Sequence, residues 1–178
     1  MIYYIADLHF GHENVIRHDG RPFSGVDEME DVLVGNWNVR VTPDDTVYVL
    51  GDACWKKGTA ASAVLTRLCG HKHLIRGNHD HKSVRESACW ESVSDYLELV
   101  DGETRVVLSH YPMPFYNLEH KGAVMLYGHV HNTPEWQMLE RWQTEPREAG
   151  IPCRMINVGC MMDYMAYTPQ TLSFLLNL

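Results

Sequence analysis

The chain has 178 residues, 45% of them hydrophobic and 21% charged, and a formal net charge of -8. That length and apolar content suit one domain able to bury roughly two thirds of the surface its unfolded chain exposes. The acidic balance argues against a broad surface for extended nucleic acid, because non-specific affinity for it comes from Lys and Arg displacing counterions.

In chain order, the first apolar run, Ile2–Ala6, reads as a strand and leads into Asp7-Leu8-His9. Ser24-Gly25-Val26-Asp27 reads as a capping box, and Met29, Val32, Leu33 and Trp37 at helical spacing predict a helix to about Arg40, closed by Thr42-Pro43-Asp44-Asp45. Thr46–Leu50 is the next strand and ends at Gly51-Asp52. A second helix is predicted from Thr59, with Ala60, Ala61, Val64, Leu65 and Leu68 on one face and Gly70 as its stop. The run His73–Arg76 leads to Gly77-Asn78-His79-Asp80, with a third helix expected after Asp80. Arg105–Leu108 leads to Ser109-His110, Ala123–Tyr127 to Gly128-His129-Val130-His131, and Met155–Val158 is the last expected strand. Glu140–Gly150, the most polar stretch, reads as a surface loop or helix edge, and the Met- and Tyr-rich Cys160–Thr168 receives no role.

Strand-helix alternation followed by strands with longer connections indicates a layered α/β domain with a mixed sheet. Five cysteines without a Cys-x-x-Cys pair, and no basic, apolar leader, indicate reduced thiols in a cytoplasmic protein. No apolar run approaches the ~20 residues of a membrane span, so a soluble chain with no membrane partner is expected.

Five motifs carry the chemistry. Each follows an apolar run, so their side chains can converge beyond the carboxyl ends of strands, where ligands of such sheets gather. On its own, a Gly-Asp is a turn and an Asp-x-His a strand leaving the core. Together they offer Asp7, His9, Asp52, Asn78, His110, His129 and His131, oxygen and nitrogen ligands suited to borderline divalent metals. That set exceeds one tetrahedral ion. It suits two ions sharing a carboxylate, as in-line displacement at phosphorus uses. Two such ions would make a local anion trap on an acidic body, so the expected ligand is a small or locally presented phosphate ester. Gly51, Gly77 and Gly128 each precede a ligand, where close backbone approach favours a residue without Cβ.

The ordered series Asp-x-His, Gly-Asp, Gly-Asn-His-Asp, His, Gly-His-x-His, from Asp7 to His131, resembles the calcineurin-like metallophosphoesterase superfamily. Phe10-Gly11-His12-Glu13-Asn14 followed by Arg21-Pro22-Phe23 is similar to a compact bacterial and phage branch of it. The resemblance implies a layered α/β/β/α sandwich, two mixed β-sheets flanked by helices, with residues 1–178 as a single metallophosphoesterase domain. It implies that Asp7, His9 and His131 hold one metal, that Asn78, His110 and His129 hold the other, and that Asp52 bridges them. A hydroxide held between the metals would attack phosphorus and His79 would protonate the leaving oxygen. Asp80 would orient His79 or cap the helix that follows. Manganese is the first expectation for both ions, with iron, zinc and nickel suited to the same ligands. His12, Arg17 and Arg21 are candidates for substrate contact, Arg76 offers another guanidinium, and Trp55 would wall the pocket or pack in the core.

The implied activity is hydrolysis of a small phosphodiester or phosphomonoester, the diester favoured. The protein Ser/Thr phosphatase branch carries Asp-Arg-Gly after its Gly-Asp, whereas Gly51-Asp52 is followed here by Ala53-Cys54-Trp55-Lys56. The alternative is a metallophosphoesterase-like scaffold or binding module without turnover, against which the complete ligand set argues. Oligomeric state is not readable from these patterns.

Overall fold

The computed structural model describes residues 1–178. The apolar runs Ile2–Ile5, Thr46–Leu50 and His71–Ile75 form strands β1, β2 and β3, paired in parallel with Ile2 opposite Thr46 and Thr46 opposite His71. Two strands with no strong apolar signal complete this sheet: β4 (Trp90–Ser94), parallel to β3, and the dipeptide β9 (Gln170–Thr171), antiparallel to β1. The order is β4-β3-β2-β1-β9 once these are named in chain order with β5 (Tyr96–Asp101), β6 (Thr104–Ser109), β7 (Val124–Tyr127) and β8 (Met155–Asn157) of a second sheet, β5-β6-β7-β8. In that second sheet β5 and β6 form an antiparallel hairpin and β6, β7 and β8 run parallel. Both sheets are therefore mixed.

Side-chain alternation makes the layers. Val106, Leu108, Val124, Leu126 and Ile156 of the second sheet belong to one core cluster with Tyr3, Ile5, Val47, Val49 and Leu74 of the first. Their sequence neighbours Val107, Met125, Tyr127 and Met155 point the other way into a smaller cluster, covered by Tyr116, Leu139 and Trp142. The outer face of the first sheet is covered by α2 (Val26–Arg40) and α3 (Gly58–Leu65), whose Met29, Leu33, Trp37, Ala61, Val64 and Leu65 are buried. Helix, sheet, sheet and helix follow one another, so the fold is the expected α/β/β/α sandwich. With both faces covered, β7 is buried at every position.

Several expected boundaries move. The box that starts α2 joins Ser24 not to Asp27 but to Glu28, whose Oε2 accepts from both the Ser24 N–H and hydroxyl at 2.6 Å, one residue further on. Helix α3 stops at Leu65, so Leu68 packs from the turn beyond it, and Ala60 is exposed. The helix after Asp80 is a single turn, α4 (Lys82–Arg85). Glu140–Gly150 lies in α5 (Pro134–Trp142) and α6 (Thr144–Glu148). Two further helices, α1 (Glu13–Asp19) and α7 (Leu172–Leu175), carry no clear periodicity in so few residues. No helix is long and apolar enough to cross a membrane.

Candidate metal centre

Strands β1, β2, β3, β6 and β7 deliver their carboxyl ends to one rim, where a bridge from Ala6 to Gly159 joins the two sheets. Just past those ends lie Asp7 and His9, Asp52, Asn78, His110, and His129 and His131. Five of these seven residues, Asp7, His9, Asp52, His129 and His131, have φ between 48° and 71°. That left-handed conformation costs an L-residue roughly 1–2 kcal/mol, so their backbones are held against their own preference. Hydrogen bonds do the holding: Asp7 N–H to the Gly51 carbonyl at 3.0 Å, His9 N–H to the Asp52 carbonyl at 2.9 Å, and His129 N–H to the Asp7 carboxylate at 3.0 Å. Gly77 supplies close approach, since a Cβ there would meet Asp52 Oδ1 at 2.2 Å and Asp52 N at 2.3 Å.

The donor atoms form two adjoining groups. His9 Nε2 and His131 Nε2 are 3.3 Å apart, and His131 Nε2 is 3.8 Å from Asp7 Oδ1. Asn78 Oδ1 is 2.9 Å from His110 Nε2 and 3.0 Å from His129 Nδ1. Asp52 Oδ2 stands between the groups, 3.6 Å from His9 Nε2 and 3.6 Å from His110 Nε2. Ligands bonded at about 2.1 Å to one ion are separated by about 3.0–3.4 Å along an octahedral or tetrahedral edge, close to these spacings. Asp7, His9 and His131 form one candidate metal-holding group, and Asp7, Asp52 and His110 another. His110 approaches Asp7 through Nδ1 at 4.0 Å, the nitrogen already bonded to the Leu50 carbonyl at 2.8 Å, whereas its Nε2 faces Asp52.

The chemistry of the donors fits cations. Burial pushes His110 toward its neutral form, and its Nδ1 proton is committed to Leu50, so Nε2 turns a lone pair toward Asn78 Oδ1. Two acceptors so placed suit a cation between them. Asp7 is fully buried, and burial pushes its carboxyl up to about 7, with His131 opposing and Asp52 adding. Burial likewise raises Asp52, against the hydrogen bond from the His79 N–H, and lowers His9. Two buried carboxylates beside His9, His110 and His129, which burial pushes toward the neutral form, make a nest that divalent ions would neutralise.

Behind the ligands, Asp19 Oδ1 accepts from His131 Nδ1 at 2.6 Å. Arg21 Nε donates to Asp19 Oδ2 at 2.9 Å, and its terminal nitrogens donate to the Leu8 and Asp7 carbonyls at 3.1 and 2.9 Å. Arg21 is therefore buried beneath the centre and turned away from any substrate, which corrects the expectation of a phosphate contact. Asp80 is corrected too. Its oxygens accept from the N–H groups of Asp52, Ala53 and Gly77 at 3.0, 2.9 and 2.9 Å, so it ties the Gly51 and Gly77 turns together and neither orients His79 nor caps α4, which His81 caps. Asp19, Asn157, whose Nδ2 donates to the His131 carbonyl at 2.8 Å, and Cys160, whose Sγ donates to the Asp7 carbonyl at 3.1 Å, escaped sequence reasoning because their partners are distant in the chain. Cys160–Thr168 thus packs against the centre, and β9 comes after it.

Around the rim, exposed His79 has its ring 5.9 Å from His9 and 5.0 Å from Trp55. His12 stacks on Trp55 at 3.9 Å and 6°, with its Nδ1 3.3 Å from His9 Nδ1. Trp55 is exposed and belongs to this wall and not to the core. Arg17 donates to Asn14 at 2.7 Å on the surface of α1, and Arg76 pairs with Asp95 at 2.6 Å. Tyr111 packs edge-on against His129 with ring centroids 4.4 Å apart.

No protein-family model matches the chain. The uncharacterized protein MJ1445 of Methanocaldococcus jannaschii is 38% identical over 133 residues, which cover 73% of this chain and 69% of that protein. The Gene 66 protein of Mycobacterium phage L5 is 29% identical over 160 residues, covering 73% of this chain and 77% of its own length. Among solved structures, the protein of unknown function AQ665 from Aquifex aeolicus superposes with a TM-score of 0.73 at 26% identity, covering 95% of this chain and 94% of the other.

Proposed function

The chain belongs to the family of the Methanocaldococcus protein, and from that premise we propose that its fold is metallophosphoesterase-like and that it is a metal-dependent phosphoric ester hydrolase acting on a small phosphate ester. The observation that carries the reading is the convergence of seven oxygen and nitrogen donors from five strand ends, with Asp52 equidistant from His9 and His110. In this reading Asp7, His9 and His131 hold one divalent ion, Asn78, His110 and His129 a second, and Asp52 both. When bound, the two ions supply Lewis acidity and lower the pKa of water to near neutrality. Manganese is the metal we favour, and a phosphodiester the substrate we favour over a monoester.

The chain's own residues then divide the remaining work. His79 stands at the open side of the centre with its backbone fixed by the 2.8 Å bond to Asp52 Oδ1, and its imidazole delivers a proton to the leaving oxygen. Asp19 holds His131 in the tautomer that leaves Nε2 free, and the Leu50 carbonyl does the same for His110. Trp55 and His12 form an aromatic wall beside the phosphate position.

The test is to strip the protein, reload it with manganese, count bound metal, and compare hydrolysis of bis-p-nitrophenyl phosphate with p-nitrophenyl phosphate, with Asp52→Asn as control. Metal-dependent turnover lost in the variant supports the proposal, and the preferred ester decides between diester and monoester. Two metals bound with no turnover on either ester would favour the scaffold reading instead.

A further inference from the structure

Beside Asn78, on the side away from Trp55 and His12, a cavity of about 510 Å³ is lined by Arg76, Gly77, Asn78, Asp80, Arg85, Asp95 and Tyr111. Its charges are unequally committed. Arg76 pairs with Asp95, and Asp80 is saturated by three backbone N–H groups. Arg85 forms no ion pair, and its Nε is buried without a hydrogen-bond partner. The Nε is closed to solvent, so the terminal nitrogens, which form no hydrogen bond either, are the donors left to meet an anion in the cavity. Guanidinium matches the oxygens of phosphate with two parallel donors. Two of its lining residues also touch the metal centre, Tyr111 against the His129 ring at 4.4 Å and Asn78 against His110 Nε2 at 2.9 Å, so the cavity adjoins the centre.

We propose that this cavity is a subsite for a second phosphate group, with Arg85 as its specificity-determining residue and Arg76 as a supporting cation, so that the preferred substrate carries one phosphate at the metals and another here. The inference rests on the phosphoesterase reading for the first phosphate only. Arg85 and its cavity belong to the chain itself, and an anion can test them with or without turnover.

The experiment is calorimetric titration of the manganese-loaded protein with adenosine 3′,5′-bisphosphate and adenosine 5′-monophosphate, for wild type, Arg85→Ala and Arg85→Lys, with thermal unfolding to establish that each variant is folded. The expected result is a preference of about tenfold or more for the bisphosphate, the size of a charge-assisted hydrogen bond, reduced to about twofold or less in Arg85→Ala and partly kept in Arg85→Lys. Inorganic phosphate as competitor separates the sources: if it alone occupies the subsite, it lowers bisphosphate affinity to that of the monophosphate in wild type and has a smaller effect in Arg85→Ala. Equal affinities for the two nucleotides in wild type, or a preference unchanged in Arg85→Ala, overturns the subsite. Hydrolysis of bis-p-nitrophenyl phosphate by the same wild-type preparation reads the first proposal separately: its absence counts against the phosphoesterase, while the nucleotide preference still decides Arg85.

Discussion

The Asp19 carboxylate accepts a 2.6 Å hydrogen bond from His131 Nδ1 while its other oxygen is held by Arg21 at 2.9 Å. One side chain thus fixes which nitrogen of a candidate ligand faces the centre and anchors a buried guanidinium beneath it. Asp19→Ala should lower metal affinity by about 10–100-fold, as loss of a carboxylate behind a ligating histidine does. Arg21→Ala should leave Asp19 buried without its partner and cost about 3 kcal/mol or more. Equilibrium metal titration and urea unfolding of the two variants check these values.

The close approach at Gly77 makes a second prediction. In Gly77→Ala the new methyl group would meet the Asp52 carboxylate and backbone, neither of which can swing aside as the end of a flexible side chain could. Overpacking of this kind costs about 1–3 kcal/mol. The displaced group is also the proposed shared ligand, so metal content should fall together with the urea midpoint. A variant with full metal content and wild-type stability would contradict the observed packing.

Asp52→Asn should behave oppositely with and without metal. With manganese bound, losing the shared carboxylate weakens the site and abolishes most hydrolysis. In chelator, the same change removes a carboxylate that burial disfavours in its charged form and that also pushes Asp7 upward, so the variant should melt above the metal-stripped wild type. Melting curves in manganese and in chelator, taken on both proteins, would show the crossing or its absence.

His79 and Asp80 are neighbours with separable effects. His79→Gln should retain metal and stability and lose about a hundredfold or more in kcat on esters with poor leaving groups, less on p-nitrophenyl esters, which need little protonation. Asp80→Ala strands three buried N–H donors and should cost about 3 kcal/mol or more, with metal loss as a consequence. Kinetics alone would not separate them. Denaturation midpoints would.

Burial pushes the Cys54 and Cys160 thiols up to about 12. At pH 8 both should resist iodoacetamide in the native protein, while the less buried Cys69 and Cys89 react first; peptide mapping after limited labelling reads this directly. The linkage has a definite sign. The folded thiols keep protons that unfolded thiols release above pH 9.0, so their contribution to stability is complete below pH 9.0 and is lost as pH rises from there toward 12.

Much of the architecture was legible in short apolar runs. The strand Thr46–Leu50 has its expected limits, and β1, β3, β6, β7 and β8 lie within a residue or two of theirs, because the half of each that runs into the site is buried and mostly apolar. Exposed β4 and β5 and the dipeptide β9 gave no such signal, since pairing with neighbours rather than their own side chains makes them strands. The convergence of the candidate ligands was legible because each motif comes directly after a strand, and parallel strands bring the residues past their carboxyl ends to a common rim.

What the sequence determined by itself is the list of donors and their order: which residues have lone pairs suited to a divalent ion, and that each lies just past an apolar run. Only the tertiary structure decided their orientation and their support. Arg21, on sequence a candidate for phosphate contact, is folded inward by Asp19 and two carbonyls; Asp80, on sequence a partner of His79 or a helix cap, is taken by three N–H groups from two turns; and the unpaired guanidinium beside Asn78 is Arg85, in the single-turn helix that follows. Hydrogen bonds and burial depend on distances between segments far apart in the chain, such as Asp7 and Cys160, 153 residues apart, and those distances exist only once the two sheets have packed.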